Sequence, residues 1–570
     1  MKLRLRSILV VTFLLLISVG KSYADNSRWQ FNLKAKPFVG ELQLKSSTSN
    51  GGGIRIEVDG SESIPGRKVE RTFYGASMSP TDQLPSKLLM QEMPLAFLRI
   101  GSSELSRYDF KSTLVLRRFF SPIDAELARS KYYASMDMVS MVKIIRSLNA
   151  TPMLQMNLLG VKPSYGDNNK PQIISVDSAE EAYDQLYYLN KDHKLDVRYF
   201  VIDNEPTIWN GTHFDLIKEP VSADEYITRF VRLVLRVRAA SEEIHGDAHY
   251  VKIIAPEESQ SWGRFQTWSP NDCAVQISGG PIVCRYGDDP SMHFENFLDY
   301  FLYKVGKIES NREINPKGYR LLDYFSYHIY PLFRKNYSDP ESFILNAKGE
   351  QDVTRYLNSI RLWDSEVVND TDYVFPRGES INLFNFVNQN LAKYYPHAKA
   401  VISEFGIDSS GKTIDYHPLL KPLYIGELLA LSAFHKTEYF LISYLNSNIF
   451  DVKSWPLISE GNKTIPSYYI MSLMSKYFNG NFISSRVSAS NDLVAYSVKN
   501  KKEIVTIIIN KNMNQELPFI YKLKTIGEVG MKIAPLTFIM MRSPLANPAK
   551  VVMHRFGQNE LGVVDLFHVN

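Results

Sequence analysis

The sequence is poor in cysteine, with two among 570 residues. Two thiols are too few for a disulfide-rich scaffold or for a zinc site with four thiolates. Charges of opposite sign nearly cancel, because 65 Lys and Arg stand against 61 Asp and Glu, and no dense basic tract is present. This balance excludes the electrostatic footprint of a nucleic-acid-binding protein. Hydrophobic residues make up 44 % and charged residues 22 % of the chain, which excludes global disorder.

Long apolar runs are absent beyond the N terminus, so no membrane-spanning helix is predicted. The first 24 residues combine a basic start, a short apolar run at 8–17 and a small residue, Ala24, at the end. This pattern is typical of a secretory signal peptide and is too short for a membrane span. We therefore expect a secreted or periplasmic protein whose mature chain begins at Asp25.

The two cysteines fall in one segment of the chain. Ten residues separate Cys273 from Cys284. In an oxidising compartment such a pair is expected to form a disulfide that closes a short loop. The alternative is that they are two unrelated buried thiols.

Eight short apolar runs alternate with helical patterns through the middle of the chain. The runs are 71–78, 95–102, 151–159, 197–206, 251–259, 323–331, 398–406 and 438–445. Stretches between them carry apolar residues at i, i+3 and i+4, the spacing of an amphipathic helix. Eight buried strands separated by helices predict an α/β fold, a (β/α)8 TIM barrel over residues 71–477, rather than an open doubly wound sheet with fewer strands.

A second, smaller domain is predicted after the barrel. Strands follow one another without helices over 478–545, which is typical of an antiparallel β-sandwich. Residues 25–70 also show strand and turn patterns, so we expect them to join the same sandwich. Residues 546–570 show no pattern, and an irregular tail is expected there.

Two glutamates stand at strand ends, where the active site of a (β/α)8 barrel lies. Glu205 ends the fourth run directly after Asn204, and Glu404 ends the seventh run. Glycoside hydrolysis uses two such carboxylates: one protonates the leaving oxygen and the other attacks the anomeric carbon. The two glutamates therefore predict a glycoside hydrolase.

Other strand-end residues fit this prediction. Arg99 is an internal arginine of the second run and needs a carboxylate partner, for which Glu404 is suitable. His328 and Tyr330 lie two residues apart in the sixth run and so share one face; either is suited to hold the nucleophile by a hydrogen bond. Asn204 is expected to donate to the sugar 2-hydroxyl.

Tryptophans follow the fourth and fifth runs, in loops that are expected to form the cleft. Trp209, Trp262 and Trp268 would stack on the C–H faces of sugar rings there, with simple loop packing as the alternative. No cluster of His and Cys indicates a catalytic metal, and no cofactor is expected. The sequence leaves a structural calcium ion open.

One motif is dismissed. Residues 406–413 match the GxxxxGK[ST] pattern of a phosphate-binding loop. Such a loop requires a helix that begins at the lysine, and Pro418 would disrupt the first turn of that helix. The match is therefore treated as accidental.

Six stretches together resemble glycoside hydrolase family 44, whose members are endo-β-1,4-glucanases and xyloglucanases. They are RIGSSELSRYDF at 99–110, VIDNEPTIWNGTH at 201–213, PEESQSWG at 256–263, LLDYFSYHIYP at 321–331, SIRLWDSEVV at 359–368 and YYPHAKAVISEFG at 394–406. They occur in the family's order and span most of the barrel. The resemblance implies a retaining enzyme in which Glu205 is the acid/base and Glu404 is the nucleophile.

Four positions, at three sites, depart from the family pattern. Ser102 follows Gly101 where the family has a second glycine, Phe405-Gly406 replaces Tyr-Asn, and Tyr444 stands where a tryptophan is frequent. These positions belong to the expected sugar-facing wall, so β-mannan and xylan remain alternative substrates. A non-catalytic glycan-binding barrel is the alternative from a different class. A polysaccharide is the expected partner, and a monomer is the expected state.

Overall fold

The structure is a computed structural model that describes most of the chain. The described residues are 29–30, 35–46, 53–78, 85–117, 132–217, 219–258, 272–275, 282–287, 294, 296–329, 383–406, 417–447, 456–459, 462–488, 490, 492–561 and 564–565. The predictions for residues 1–24, Trp262, Trp268 and Tyr330 fall outside these ranges. Within them, no helix is both long and apolar enough to cross a membrane.

Eight parallel strands, β1 to β8, close into a barrel in chain order. Their bounds are Tyr74–Met78, Phe97–Ile100, Thr151–Met156, Tyr199–Ile202, Lys252–Glu258, Tyr324–Ile329, Lys399–Phe405 and Phe440–Ser443. Apart from the first residue of five strands, every position is buried. This two-sided burial explains the continuous apolar runs, and the predicted TIM barrel is confirmed.

In the described residues a helix, named α1 to α8, follows each barrel strand, and a short helix, Trp209–Thr212, precedes α4. The bounds of α1 to α8 are Lys87–Glu92, Met138–Ser147, Ser178–Leu186, Ala223–His245, Phe297–Ser310, Leu383–Tyr394, Leu420–Phe434 and Pro466–Tyr477. Helix α4 shows how local signals set the ends: Ser222 Oγ accepts from Glu225 N at the start, and Gly246 adopts a left-handed φ of 74° at the end.

The bottom of the barrel is closed by an apolar layer. Six strands each contribute one side chain to this layer. These side chains are Phe97, Met153, Val201, Ile254, Val401 and Leu441. Because side chains alternate in a strand, the residues two positions further on also point inward. At that level the inward-pointing side chains are polar. They are Arg99, Gln155 and Asp203, and they form the floor of the candidate site.

The second domain is one nine-stranded sheet. In chain order its strands are Phe38–Gln43, Ile54–Val69, Gly480–Val487, Leu493–Lys499, Glu503–Asn510, Leu517–Leu523, Gly527–Ile533, Thr537–Pro544 and Lys550–Phe556. The first two strands precede the barrel, so the chain enters and leaves the barrel through this sheet. The sheet curls until its ends meet, where the backbones of Lys45 and Glu528 exchange hydrogen bonds of 2.9 and 2.8 Å. It is therefore a single curled sheet rather than two stacked ones.

The interior strand Glu503–Asn510 is buried along its whole length. Ile507 and Ile509 belong to the core shared with the barrel, whereas Ile504 and Ile508 point into the curl of the sheet. The alternation of side chains in a strand thus joins the two domains through one continuous apolar contact. Helix α7, which lies at this junction, is buried on nearly all sides.

The expected irregular tail, residues 546–570, is wrong in part. Lys550–Phe556 is an ordered strand paired with both Phe38–Gln43 and Thr537–Pro544. Further on, Val564–Asp565 pairs with Trp29–Gln30. These strands depend on partners from the other end of the chain, which a local pattern does not reveal.

Candidate active site

The carboxyl ends of β2, β4, β5, β6 and β7 bring five ionisable side chains together. They are Arg99, Glu205, Glu257, His328 and Glu404. Arg99, Glu257 and His328 are fully buried, while the side chains of Glu205 and Glu404 are 14 % and 6 % exposed. The two glutamates predicted to be catalytic are therefore the members of the cluster that face the open mouth of the barrel.

Arg99 is the first centre of this cluster. Its Nη1 lies 2.9 Å from Glu404 Oε1, and its Nη2 lies 2.7 Å from Glu257 Oε2. Nη2 also donates to Asn204 Oδ1 at 2.8 Å. Burial by itself would lower the pKa of Arg99, but the charges of Glu257 and Glu404 outweigh it and raise that pKa. The guanidinium therefore stays charged and fixes three side chains from three strands.

His328 is the second centre. Its Nδ1 lies 3.1 Å from Glu205 Oε1 and 3.2 Å from Glu404 Oε2, and its Nε2 lies 3.2 Å from Glu257 Oε2. Burial by itself would lower the pKa of His328, but the surrounding carboxylates Glu404, Glu205 and Glu257 raise it to about 10. The ring is thus an imidazolium at neutral pH, with one N–H directed at Glu257 and the other at the two predicted catalytic groups.

Glu205 is held by an unusual backbone. It adopts a left-handed conformation, with φ 49° and ψ 59°, and its N–H donates to Glu257 O at 3.0 Å. A non-glycine residue persists in this region only where the surroundings enforce it. Pro206 follows and begins a 3-10 turn, so the chain bends sharply as it leaves β4. The bend is what turns the Glu205 side chain into the cluster.

Asp203 also has a positive φ, of 61°, and its hydrogen bonds stabilise that bend. Its carboxylate accepts hydrogen bonds from Leu158 N at 2.7 Å, Leu159 N at 2.8 Å and Asn204 N at 2.8 Å, and one from Ser106 Oγ. Burial raises the pKa of Asp203 to about 6 against the lowering effect of these hydrogen bonds. One side chain thereby ties the ends of β3 and β4 together.

The remaining predicted residues occupy different positions. Asn204 is buried. Its Oδ1 accepts from Arg99, and its Nδ2 donates to Ser103 Oγ at 3.3 Å. The second Nδ2 hydrogen is left for a ligand. Tyr444 follows β8, is half-buried and interacts electrostatically with Arg99. Trp209 is fully buried, and its Nε1 donates to Asn204 O at 2.8 Å. This burial contradicts the predicted stacking of Trp209 on sugar, because its ring packs edge-to-face against Tyr226 instead.

Two members of the site were not identified from the sequence. Glu257 lies in β5 next to a second glutamate, Glu258, and Asp203 directly follows β4 and precedes Asn204 and Glu205, to which the sequence assigned roles. Glu257 also has a positive φ, of 56°, so its side chain does not follow the simple alternation of a strand. The signal that was available is the run Pro256-Glu257-Glu258, where two adjacent acids stand at the end of an apolar strand.

The cluster is poorly suited to a metal ion. One atom each of Glu205, His328 and Glu404 lies within 4.8 Å of the others. Arg99 Nη1 already supplies a positive charge 2.9 Å from Glu404 Oε1, which would repel a metal cation bound by the same carboxylate. The arrangement therefore suits proton transfer and attack by a carboxylate.

Away from the site, Cys273 and Cys284 stand directly opposite each other in a two-stranded hairpin. Because Arg285 N donates to Asp272 O at 2.8 Å, the cysteines occupy a non-hydrogen-bonded position, where Cα atoms lie about 4.5 Å apart. That separation is within the range that a disulfide spans. This strand register favours a disulfide between Cys273 and Cys284, which stays a prediction.

This fold and this site together define the class of the protein: a (β/α)8 barrel with a glycoside hydrolase type of carboxylate pair at the carboxyl ends of its strands. The model of glycoside hydrolase family 44 matches residues 162–332, which include Glu205, Glu257 and His328. The resemblance found in the sequence is confirmed over this stretch.

Solved structures agree on the fold. A family 44 xyloglucanase of Paenibacillus polymyxa superposes with a TM-score of 0.58 at 14 % identity, covering 88 % of this chain and 99 % of the xyloglucanase. A family 44 endoglucanase of Clostridium thermocellum gives 0.57 at 14 % identity, with 88 % and 99 % covered. A bifunctional glucanase-xylanase from a metagenome library gives 0.57 at 15 % identity, with 89 % and 99 % covered. These matches span both domains.

A curated relative matches by sequence. Beta-mannanase/endoglucanase A of Caldicellulosiruptor saccharolyticus is 23 % identical over 229 residues, which is 37 % of this chain. The match spans 15 % of that relative's length.

Proposed function

We propose that the protein is an exported glycoside hydrolase that cleaves β-1,4-linked glucan or xyloglucan with retention of the anomeric configuration. The observation that carries the proposal is the placement of Glu205 and Glu404, each with a carboxylate oxygen within 4.8 Å of the other around His328 Nδ1. Retaining enzymes hold the two carboxyl groups about 5–5.5 Å apart, whereas inverting enzymes need about 6.5–9.5 Å to admit a water molecule. The short separation favours retention.

The chemistry follows from which side chain each glutamate contacts. Glu404 accepts a hydrogen bond from Arg99 Nη1 and forms an ion pair with His328 Nδ1 at 3.2 Å. These two contacts hold and orient its carboxylate for attack on the anomeric carbon. Glu205 gives its proton to the departing glycosidic oxygen. The covalent sugar ester on Glu404 is then cleaved by water, from which Glu205 takes a proton. Each group returns to its starting state.

The proposed substrate class rests on similarity to known glycoside hydrolases and on the residues that line the cleft. The relatives described above are a xyloglucanase, an endoglucanase and a glucanase-xylanase. β-Mannan is the second candidate, because the curated relative that matches by sequence is named for mannanase and endoglucanase activities. Ser102 N donates to Gln155 Oε1 at 2.8 Å, and Tyr444 interacts electrostatically with Arg99; these two departures bear on which sugar the wall accepts.

The experiment is a panel of soluble polysaccharides. Purified protein is incubated with β-1,4-glucan, xyloglucan, β-mannan and xylan, and new reducing ends are counted. We expect turnover on glucan or xyloglucan, with a β anomer formed first in proton NMR. A first-formed α anomer would refute retention, and no turnover on any of the four would favour a glycan-binding barrel. N-terminal sequencing of the exported protein tests cleavage before Asp25.

A further inference from the structure

The cluster contains a third carboxylate that neither reaction step uses. Glu257 is fully buried, and its Oε2 contacts both cations of the site, Arg99 Nη2 at 2.7 Å and His328 Nε2 at 3.2 Å. Its backbone N–H donates to Ser326 Oγ at 2.9 Å. With no exposed surface, the Glu257 side chain is separated from the open barrel mouth. A charged group buried this deeply is retained only when it is paired, and here it is paired twice.

On the basis of the proposed function, we propose that Glu257 is a positioning residue that holds His328 as a doubly protonated donor shared between Glu205 and Glu404. The geometry carries this assignment. Glu257 occupies Nε2 of the ring and fixes its orientation, so Nδ1–H can only point to the two catalytic carboxylates, 3.1 and 3.2 Å away. The near equality of these two distances makes the donor available to either group.

A shared donor has a definite use in a two-step reaction. Before the first step the negative charge resides on Glu404 and the proton on Glu205. In the covalent intermediate Glu404 is a neutral ester and Glu205 carries the charge. One negative charge therefore moves between two groups that His328 Nδ1–H already reaches. The imidazolium follows that charge without gaining or losing a proton, and without moving its ring.

The charges around His328 come from several strands. Glu205, Glu257 and Glu404 contact the ring from β4, β5 and β7, and Arg99 on β2 reaches it through Glu257 and Glu404. Removing the Glu257 charge leaves Arg99 and the imidazolium with one fewer counter-ion. The ring would then release its proton at a lower pH, and its Nδ1 lone pair would face two carboxylate oxygens.

The test compares two variants of Glu257. Glu257→Gln keeps the shape and loses the charge, whereas Glu257→Asp keeps the charge. For Glu257→Gln we expect kcat to fall about 10–100-fold, as for partners of other active-site histidines. The pH at which the His328 ring loses its second proton, followed by nitrogen-15 NMR, should also move down by about 1–3 pH units, the usual effect of one nearby opposite charge. For Glu257→Asp this titration should stay near its wild-type position.

A matched control is Glu258→Gln, in the next residue of β5. Glu258 is equally buried, and its Oε1 accepts from Thr207. The His328 titration should therefore follow wild type in this variant. Equal shifts of that titration in the Gln and Asp variants of Glu257 would show a packing role and overturn the proposal. So would an unchanged His328 titration in Glu257→Gln.

A measurement on the wild-type protein needs no turnover. Nitrogen-15 NMR of the wild-type imidazoles, with His328 identified by its absence in His328→Asn, reports which ring nitrogens carry protons. We expect both His328 nitrogens to be protonated at pH 8, and a neutral ring would overturn the proposal. If the polysaccharide panel failed while the ring proved doubly protonated, the catalytic function would be wrong and the role of Glu257 toward His328 would stand.

Discussion

Arg99 and Glu404 lie 305 positions apart in the chain and 2.9 Å apart in the barrel, with both side chains buried. The pair joins β2 to β7 across the barrel mouth and holds the carboxylate that we assign as the nucleophile. Because Arg99 also binds Glu257 and Asn204, one cation organises residues from three other strands. Several measurable consequences follow from this arrangement and from the neighbouring domain.

The two glutamates should fail in different ways. Glu404→Ala should lose nearly all turnover on every substrate, because no other group can form the covalent intermediate. Glu205→Ala should keep part of the first step on aryl glycosides with good leaving groups, which need little proton assistance. Added azide should accelerate its second step. Steady-state rates on an aryl glycoside and a polysaccharide measure both effects, and wild-type activity in both variants would disprove the site.

Arg99→Met should destabilise the protein strongly. The change leaves two buried carboxylates without their main cation, and breaking such a pair costs about 3–5 kcal/mol. Urea unfolding measures the loss. The control is Arg198→Met, whose arginine makes an exposed pair with Asp196 and should change the free energy of unfolding by about 1 kcal/mol or less. Similar values for both variants would contradict the buried network.

His328 should make stability depend on alkaline pH. Its pKa is about 10 in the folded protein against 6.5 for a free histidine. Its contribution is therefore complete below pH 6.5 and is lost as pH rises toward 10, because only the folded state retains the proton. A difference of that size amounts to about 5 kcal/mol at 1.36 kcal/mol per pKa unit. Urea midpoints between pH 6.5 and 9.5 should fall less in His328→Asn than in wild type.

Cys273 and Cys284 should be joined in the mature protein. Closing a loop of this length stabilises the folded state by roughly 3 kcal/mol. Thiol titration of the unfolded, unreduced protein should find no free thiol. Two titratable thiols would show that the facing cysteines of the hairpin are not bonded.

Residues 25–70 should be needed by the second domain. Ile54–Val69 pairs with Gly480–Val487 on one side and with Leu517–Leu523 on the other, so removing it opens the sheet at an interior position. A chain lacking 25–70 should therefore unfold at a lower temperature than the mature protein. Unchanged thermal stability in a calorimetric scan would show that the sheet does not depend on these strands.

The sequence by itself determined the barrel, because eight apolar runs with helices between them are local patterns that each strand carries in its own residues. It also located Glu205 and Glu404, since a polar residue that ends an apolar run reports its own position at a strand end. Only the tertiary structure decided which groups those glutamates meet. Glu257 reaches the cluster through a positive φ, and Trp209 turns into the core rather than the cleft. Glu257 meets Arg99 and His328, which are distant in the chain. Lys550–Phe556 likewise has one partner nearby in the chain, Thr537–Pro544, and one from the other end, Phe38–Gln43: a strand is completed by hydrogen bonds to other segments, and the distant partner is chosen by folding.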